Sequence, residues 1–231
     1  MAIEVIWHGH ANFQINSKWG NILIDPWFEE NPSCSTEIEA CGDIDVVLVT
    51  HDHFDHIGDA VAVCEKTGAK LGAVVETALK LKDMGVAEEQ IINGIGFNVG
   101  GTVEVDNIRI TMVEAHHSTA SGTPVGYIIT FPNNYTIYHA GDTAIFASMQ
   151  VYGNIYPIDL ALLPIGGVFT MDPKQAAHAC KLLGCKAVIP MHWGSFPVLE
   201  QNTHRFEEEI KSLGIEVKVI SLTPGEKSEV A

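Results

Sequence analysis

The feature that most constrains the fold is a run of six residues, His51-Asp52-His53-Phe54-Asp55-His56, which directly follows an apolar segment. That segment, Asp45–Val49, is continuous and β-branched, which is typical of a strand covered on both faces. On a loop that leaves such a strand, alternate side chains can converge on one cation, and imidazole and carboxylate are ligands that suit zinc, manganese or iron. A polar turn would explain the aspartates but not three histidines. The run therefore predicts a metal site at the end of a buried strand.

The remaining sequence predicts strands and helices in two similar halves. Predicted strands cover Ile3–Trp7, Asn12–Ile15, Asn21–Asp25, Asp45–Val49, Lys70–Val75, Thr102–Val105, Ile108–Ala115, Val125–Phe131, Tyr135–His139, Leu160–Leu163, Ala187–Pro190 and Glu216–Ile220. Predicted helices cover Ile57–Thr67, Glu76–Met84, a segment after Asp142, a segment capped by Asp172 and closed by Gly184, and Asn202–Leu213.

Each half runs from antiparallel-looking strands into β-α alternation, and each contains a buried strand that ends at a histidine, His51 or His192. Two such halves can face each other with their helices outside. We therefore expect an α/β fold, a four-layer αβ/βα sandwich. The last residues, Pro224–Ala231, are predicted to be frayed.

Length and composition restrict the organisation and the partners. A chain of 231 residues that is 46% hydrophobic fits a single domain, residues 1–231. The net charge of -16 argues against a nucleic-acid or membrane partner, because such binding needs clustered Lys and Arg. Residues 1–8 predict a strand and not an export signal, and five cysteines without a C-x-x-C pair predict free thiols in a reducing compartment. We therefore expect a cytoplasmic protein with a small-molecule partner, with a homo-oligomer as an open alternative.

The six-residue run resembles the H-x-H-x-D-H signature of the metallo-β-lactamase superfamily, which His51, His53, Asp55 and His56 match in full. Three further segments resemble later motifs of that superfamily in the expected order: Glu114–Ser118, Ala140–Thr143 and Pro190–Gly194. Within the superfamily, the chain looks most similar to a small bacterial and archaeal branch of metal-dependent hydrolases, itself similar to ascorbate-6-phosphate lactonases. The segments that suggest this branch are His8–His10, Ile22–Pro26, Tyr138–Thr143, Leu163–Gly166 and Pro190–Pro197.

This resemblance implies two divalent metal ions, with zinc expected and manganese or iron as alternatives. The implied ligands are His51, His53 and a histidine of the third motif for one ion, Asp55, His56 and His192 for the other, and Asp142 as a bridge. Asp55 and Asp142 are also the implied catalytic residues. The third motif offers His116 and His117, of which only one should reach the metals, because adjacent strand side chains point to opposite faces. We favour His117, since the family pattern resembles a histidine followed directly by serine.

The implied chemistry is hydrolysis by a hydroxide that bridges the two metals. Two divalent cations, two aspartates and one hydroxide leave a single net positive charge, which would attract an anionic substrate locally. We therefore expect a hydrolase that acts on a phosphodiester, a phosphate-bearing compound or a lactone-type ester. Two alternatives stay open: an iron-dependent oxidoreductase of the sulfur dioxygenase type, and a non-catalytic metal-binding protein.

Several polar residues near the motifs each have two interpretations. Asp25 can orient a metal-binding histidine or form a turn before Pro26. His8 and His10 can line the pocket mouth or form a turn pair without function, so they stay outside the metal set. Asp52 can act near the metals or cap a loop. Five further residues are expected away from the chemistry or have an ambiguous role. His139 is expected to be buried and hydrogen-bonded, His178 and His204 to face solvent, and Trp193 and Phe196 to lie in the cleft wall or in the core.

Overall fold

Two β-sheets pack face to face in this chain. The computed structural model describes residues 3–231. Met1 and Ala2, which belong to the predicted domain (residues 1–231) and to the N-terminal segment (residues 1–8) predicted as a strand, lie outside the described residues. The first sheet has the order β13-β1-β2-β3-β4-β5. Its strands are β1 (Glu4–Gly9), β2 (Asn12–Asn16), β3 (Ile22–Ile24), β4 (Val46–Leu48), β5 (Lys70–Gly72) and β13 (Lys227–Glu229). Strands β13, β1, β2 and β3 pair antiparallel, whereas β3, β4 and β5 pair parallel.

The second sheet repeats this change from antiparallel to parallel pairing. Its strands are β6 (Thr102–Val105), β7 (Ile108–Glu114), β8 (Val125–Thr130), β9 (Thr136–His139), β10 (Leu160–Pro164), β11 (Ala187–Met191) and β12 (Lys218–Val219). From β6 to β9 the neighbours are antiparallel, and from β9 to β12 they are parallel.

Within residues 3–231 there are six α-helices: α1 (Phe54–Ile57), α2 (Ala60–Thr67), α3 (Val75–Met84), α4 (Ser148–Ile155), α5 (Pro173–Leu183) and α6 (His204–Leu213). Three short 3₁₀ segments lie at Ile38–Cys41, Glu88–Gln90 and Ile92–Gly94. None of the helices in residues 3–231 has the length and apolar character that crossing a bilayer requires.

The layers follow from the two-residue alternation of side chains along buried strands. In β4, Val46 and Leu48 belong to the core shared with the second sheet, whereas Val47 packs with the residues of α2 and α3. Helix α5 contacts β10 of the second sheet and buries residues that include Ala176 and Leu183. Helices therefore cover both outer faces, and the predicted four-layer αβ/βα sandwich is confirmed.

The segment 57–67, predicted as one helix, is broken at Gly58. Gly58 has φ +31°, and a Cβ atom there would lie 2.6 Å from the Pro26 carbonyl oxygen. Asp59 accepts hydrogen bonds from the backbone amides of Phe28 and Glu29, which ties the break to the chain after β3. The prediction of a continuous helix was wrong because the break is set by this long-range packing.

The chain terminus was also predicted incorrectly. Within the expected frayed segment Pro224–Ala231, β13 pairs with β1, where Ser228 lies opposite Val5. Backbone bonds flank this pairing, from Gly225 N to Trp7 O (2.7 Å) and from Val230 N to Ile3 O (2.9 Å). The backbone of a polar segment pairs as well as that of an apolar one, so composition did not reveal this strand.

The helix predicted from Asp172 is confirmed as α5. The Asp172 carboxylate accepts the backbone N–H of Gln175 at 2.8 Å, Pro173 is the first helical residue, and Gly184 ends the helix with φ +60°. These local signals need no tertiary contact to act.

Candidate metal centre

The candidate site lies where several strands of both sheets end. Asp25 follows β3, His51 lies three residues beyond β4, and His192 directly follows β11. Asp142 follows β9 after two residues, and His117 follows β7 after two residues. Because the carboxyl ends of parallel strands meet at one edge of a sheet, side chains far apart in sequence converge here.

A first cluster contains three imidazoles, those of His51, His53 and His117. The Nε2 atom of His51 is 2.9 Å from Nδ1 of His53, and the His117 ring centroid lies 5.1 Å from that of His51 and 5.0 Å from that of His53. Burial depresses the pKa of His51 most strongly, with a further contribution from the charge of His56. The neutral form favoured there is the form in which imidazole binds a metal.

A second cluster contains one carboxylate and three imidazoles, those of Asp55, His10, His56 and His192. Asp142 connects the two clusters. Its Oδ2 atom is 3.0 Å from Nε2 of His192, 3.3 Å from Nε2 of His56 and 3.5 Å from Nε2 of His117. The seven predicted ligand residues are thus brought together in two adjacent clusters with Asp142 between them.

Two buried polar atoms test whether this arrangement fits a cation. His56 Nε2 and Asp142 Oδ1 have no hydrogen-bond partner within the described part of the chain. Such atoms are costly in a protein interior unless a partner or an ion satisfies them. Their donor types, imidazole nitrogen and carboxylate oxygen, suit zinc, manganese and iron. The residues therefore fit divalent metal ions.

Asp25 holds the ring of His56 in place. Its Oδ2 atom accepts hydrogen bonds from His56 Nδ1 and Thr50 Oγ1, both at 2.7 Å, and its Oδ1 atom accepts the Thr50 amide at 2.8 Å. His56 Nε2 is thereby directed at Asp142. Of the two readings of Asp25, the structure supports the orienting one, which is the usual partner of a metal-binding histidine.

The pKa values of His56 and Asp142 reflect the charged groups that surround them. Burial alone would lower the pKa of His56 and raise that of Asp142. The contacts outweigh burial: Asp142 and Asp25 raise the pKa of His56 well above its ordinary value, and His192 and His56 hold the pKa of Asp142 well below its own. The Asp142 carboxylate is thus the charge partner that His56 and His192 share.

His10 belongs to this site although the sequence prediction left it out of the metal set. It is fully buried, with Nε2 3.1 Å from Asp55 Oδ2 and Nδ1 2.6 Å from Ser195 Oγ. Burial, and then the charge of His192, lowers the pKa of His10 to about 4, so the ring is neutral at pH 7. Because a carboxylate only accepts, Nε2 carries the proton donated to Asp55, and Ser195 donates to Nδ1.

His8, two residues earlier, points elsewhere. Its Nε2 atom lies 3.1 Å from Gln14 Oε1, outside both clusters. The sequence signal that could have identified His10 is the one that indicated His51 and His192: a strand that ends in a histidine. Local sequence does not separate His10 from His8, because a bulge between Trp7 and Gly9 changes which face each side chain takes.

The two histidines of the third motif face opposite ways. His117 joins the first cluster, whereas the His116 ring stacks on Phe146 at 4.7 Å and its side chain is 55% exposed. Both residues lie beyond the end of β7, so the loop and not strand alternation separates them. The geometry agrees with the choice of His117.

Asp52 anchors the loop that carries His117. Its carboxylate accepts hydrogen bonds from Thr119 Oγ1, the Ala120 amide, Ser121 Oγ and Lys80 Nζ, at 2.6 to 2.8 Å. Asp52 belongs to none of the candidate metal groups. The loop-capping reading of Asp52 is therefore the one that the structure supports.

The remaining candidates lie outside the clusters. His139 is buried and hydrogen-bonded to Ala11 O and the Gly141 amide, as expected. His204 is exposed and His178 is half-buried. Trp193 packs on Trp7 in the core, whereas Phe196 lines the cavity above the clusters, so the two predicted readings divide between them.

Comparison with known proteins places the chain among metal-dependent hydrolases by similarity. The family model described as a beta-lactamase superfamily domain matches residues 20–193. A UPF0173 metal-dependent hydrolase of Nitratidesulfovibrio vulgaris strain DP4 is 57% identical over 226 residues, which cover 98% of this chain and 95% of the relative. A second, LI0883 of Lawsonia intracellularis, is 52% identical over the full length of both chains. Among solved structures, the metallo hydrolase Igni18 of Ignicoccus hospitalis superimposes with a TM-score of 0.89 at 38% identity, covering 99% of this chain and 98% of that one.

Proposed function

We propose a function from one premise: this chain belongs to the UPF0173 family of metal-dependent hydrolases within the β-lactamase superfamily. The function is hydrolysis of an ester-like bond, in a lactone, a carboxylic ester or a phosphodiester, at a centre of two divalent ions. Zinc is the first candidate for both positions, and manganese and iron suit the same ligands. The five free cysteines fit a cytoplasmic enzyme.

The observation that carries this proposal is the position of one oxygen atom. Asp142 Oδ2 lies within 3.5 Å of a ring nitrogen from the first cluster (His117) and of one from the second (His192). A carboxylate shared between two groups of ligands is what a pair of neighbouring cations requires. A single metal would need only one of the two clusters.

Each ligand has a role in this proposal. His51, His53 and His117 would hold one ion; Asp55, His56 and His192 would hold the other; and Asp142 would contact both. When bound, such ions lower the pKa of water and stabilise negative charge on the attacked oxygen and on the leaving group. Asp25 fixes the His56 ring, and the N–H of His10 donates a hydrogen bond to Oδ2 of Asp55.

The overall reaction adds the elements of water across one bond. For a lactone or ester, the bond between the acyl carbon and the alkoxy oxygen breaks, and a new bond joins that carbon to the oxygen of water. One proton of the water goes to the alkoxy oxygen, and the products are a carboxylic acid and an alcohol.

The test combines metal analysis with activity. Purified protein is analysed for metal by mass spectrometry and assayed on phosphodiesters, lactones and a β-lactam before and after chelation. We expect two metal ions per chain, loss of activity on chelation and recovery with zinc or manganese. Full activity after complete metal removal would eliminate the proposal, and iron-only content with oxygen consumption on a persulfide would favour the oxidoreductase.

A further inference from the structure

The cavity above the metal clusters has a largely apolar wall. Its volume is about 550 Å³, and besides the cluster residues its lining includes Phe54, Phe169, Phe196, Pro197 and Val198. The polar groups of its lining are Ser118 and those of the candidate metal centre, among them Asp142 and His192. If the reacting bond of a substrate lies at the clusters, the rest of the substrate therefore contacts apolar side chains.

The mouth of this cavity exposes large apolar side chains to water. Phe54 is 66% exposed, Phe169 55% and Val198 60%, and Val168, beside Phe169, is 73% exposed. Exposed apolar side chains that are contiguous, rather than scattered singly, mark binding sites. Burying them under a ligand would recover the free energy that their exposure costs.

The apolar wall is held in place by the interior. The buried ring of Trp27 packs against Phe54 at 5.7 Å and against Phe196 at 6.0 Å between ring centroids. On the opposite side, Val168 has φ +43°, a strained conformation for a β-branched residue, in the loop that presents Phe169. Strain of this kind persists where the surrounding structure fixes a loop, commonly at ligand sites.

Cations that could bind a phosphate group are missing from the cavity. Within residues 3–231, its lining includes no lysine or arginine. The Lys80 ammonium, which lies beside the histidine motif, is bound at 2.7 Å to Asp52. A phosphate remote from the reacting bond would need such a cation or a cluster of N–H donors, and here it would meet phenyl rings instead.

Resting on the proposed hydrolytic function, we propose that this cavity binds the apolar portion of an uncharged lactone or carboxylic ester, and that phosphorylated sugar lactones are poor substrates. The apolar residues Phe54, Phe169, Phe196 and Val198 select substrates by hydrophobic burial. The cationic centre interacts with the reacting carbonyl alone. This narrows the substrate class expected from sequence, which included phosphate-bearing compounds.

The test is a chain-length series with the zinc-loaded protein. Rates are measured for γ-lactones from butyrolactone to dodecalactone and for 6-phosphogluconolactone. We expect kcat/KM to rise roughly two- to fourfold for each methylene that the cavity buries. Phe169→Ala and Val198→Ala should flatten this rise, with a loss on the order of tenfold for the longest lactone relative to butyrolactone. Ile155→Ala, an equally exposed position on α4, should leave the series unchanged.

Binding of γ-lactams with the same alkyl chains, measured by calorimetry, separates this inference from the proposed function. Affinity that rises with chain length without lactone turnover would support the cavity while the hydrolase proposal failed. If turnover did not depend on chain length, or if the phosphorylated lactone were the preferred substrate, the cavity proposal would be overturned. The proposal of a hydrolase would be unaffected by either result. A dimer in light scattering that Phe169→Ala dissociates, with no chain-length dependence, would also overturn the cavity proposal by assigning this surface to a second copy of the chain.

Discussion

At the residue scale, the adjacent pair His116 and His117 provides a matched test of the site. His117 faces the first cluster, and His116 stacks on Phe146 outside it. We predict that His117→Ala weakens metal binding by more than the roughly 10–100-fold that loss of an outer hydrogen-bond partner costs. His116→Ala should retain the affinity of the unmodified protein. Competition with a chromophoric chelator measures both, and equal affinities of the two variants would contradict the assignment.

His10 also acts at the scale of one residue, through Asp55 and not by contact with substrate. We predict that His10→Ala lowers metal affinity about 10–100-fold, because Asp55 loses its hydrogen-bond donor. His10→Gln, whose amide can still donate, should recover part of this loss. The metal affinity measured by chelator competition, and the number of ions retained per chain, report the effect without an activity assay. An unchanged affinity in His10→Ala would exclude the positioning role.

At the scale of elements, the break between α1 and α2 holds the histidine motif against the chain after β3. Gly58→Ala would bring a Cβ atom within 2.6 to 2.7 Å of backbone atoms of Pro26 and Trp27, so we predict destabilisation of about 3 kcal/mol or more. Gly68→Ala is the matched control, because Gly68 also has positive φ (+74°) but has no atom within 4 Å of the added Cβ. It should cost only the conformational penalty of about 1–2 kcal/mol. Urea unfolding of the metal-free variants measures both, and equal losses would contradict the steric explanation.

At the scale of the whole molecule, β1 and β13, which are far apart in sequence, pair at one edge of the first sheet. Ending the chain at Thr223 would remove β13 and the flanking backbone bonds of Ile3 and Trp7, leaving β1 as an unpaired edge. We predict a loss of at least about 2–6 kcal/mol in the free energy of unfolding, at about 0.5–1.5 kcal/mol for each of the four flanking backbone bonds alone.

A matched control keeps the backbone of β13 and changes its side chains. Replacing Lys227, Ser228 and Glu229 together by alanine should cost little, since these side chains are largely exposed and the Lys227–Glu4 ion pair is at the surface. Urea unfolding compares the two proteins. A truncated chain as stable as the full chain would show that the terminus is frayed, as its composition had indicated.

The sequence by itself determined the features that short-range chemistry controls. The continuous apolar run Val46-Val47-Leu48 predicts a strand with two covered faces, and the Asp172-Pro173 cap starts α5. The run from His51 to His56 carries four of the seven candidate ligands within six residues, so the sequence alone predicts a metal site there. These features act over a few residues, where backbone geometry alone sets the spacing of side chains.

Only the tertiary structure decided which distant groups meet. Asp55 and His10 are 45 residues apart, and His10 and Ser195 are 185 apart. The order of strands, a bulge in β1 and the loop after β7 determine that His10 and His117 face the site while His8 and His116 do not. The physical reason is that a histidine has the same local preferences in either orientation. The difference in free energy comes from partners that another part of the chain supplies.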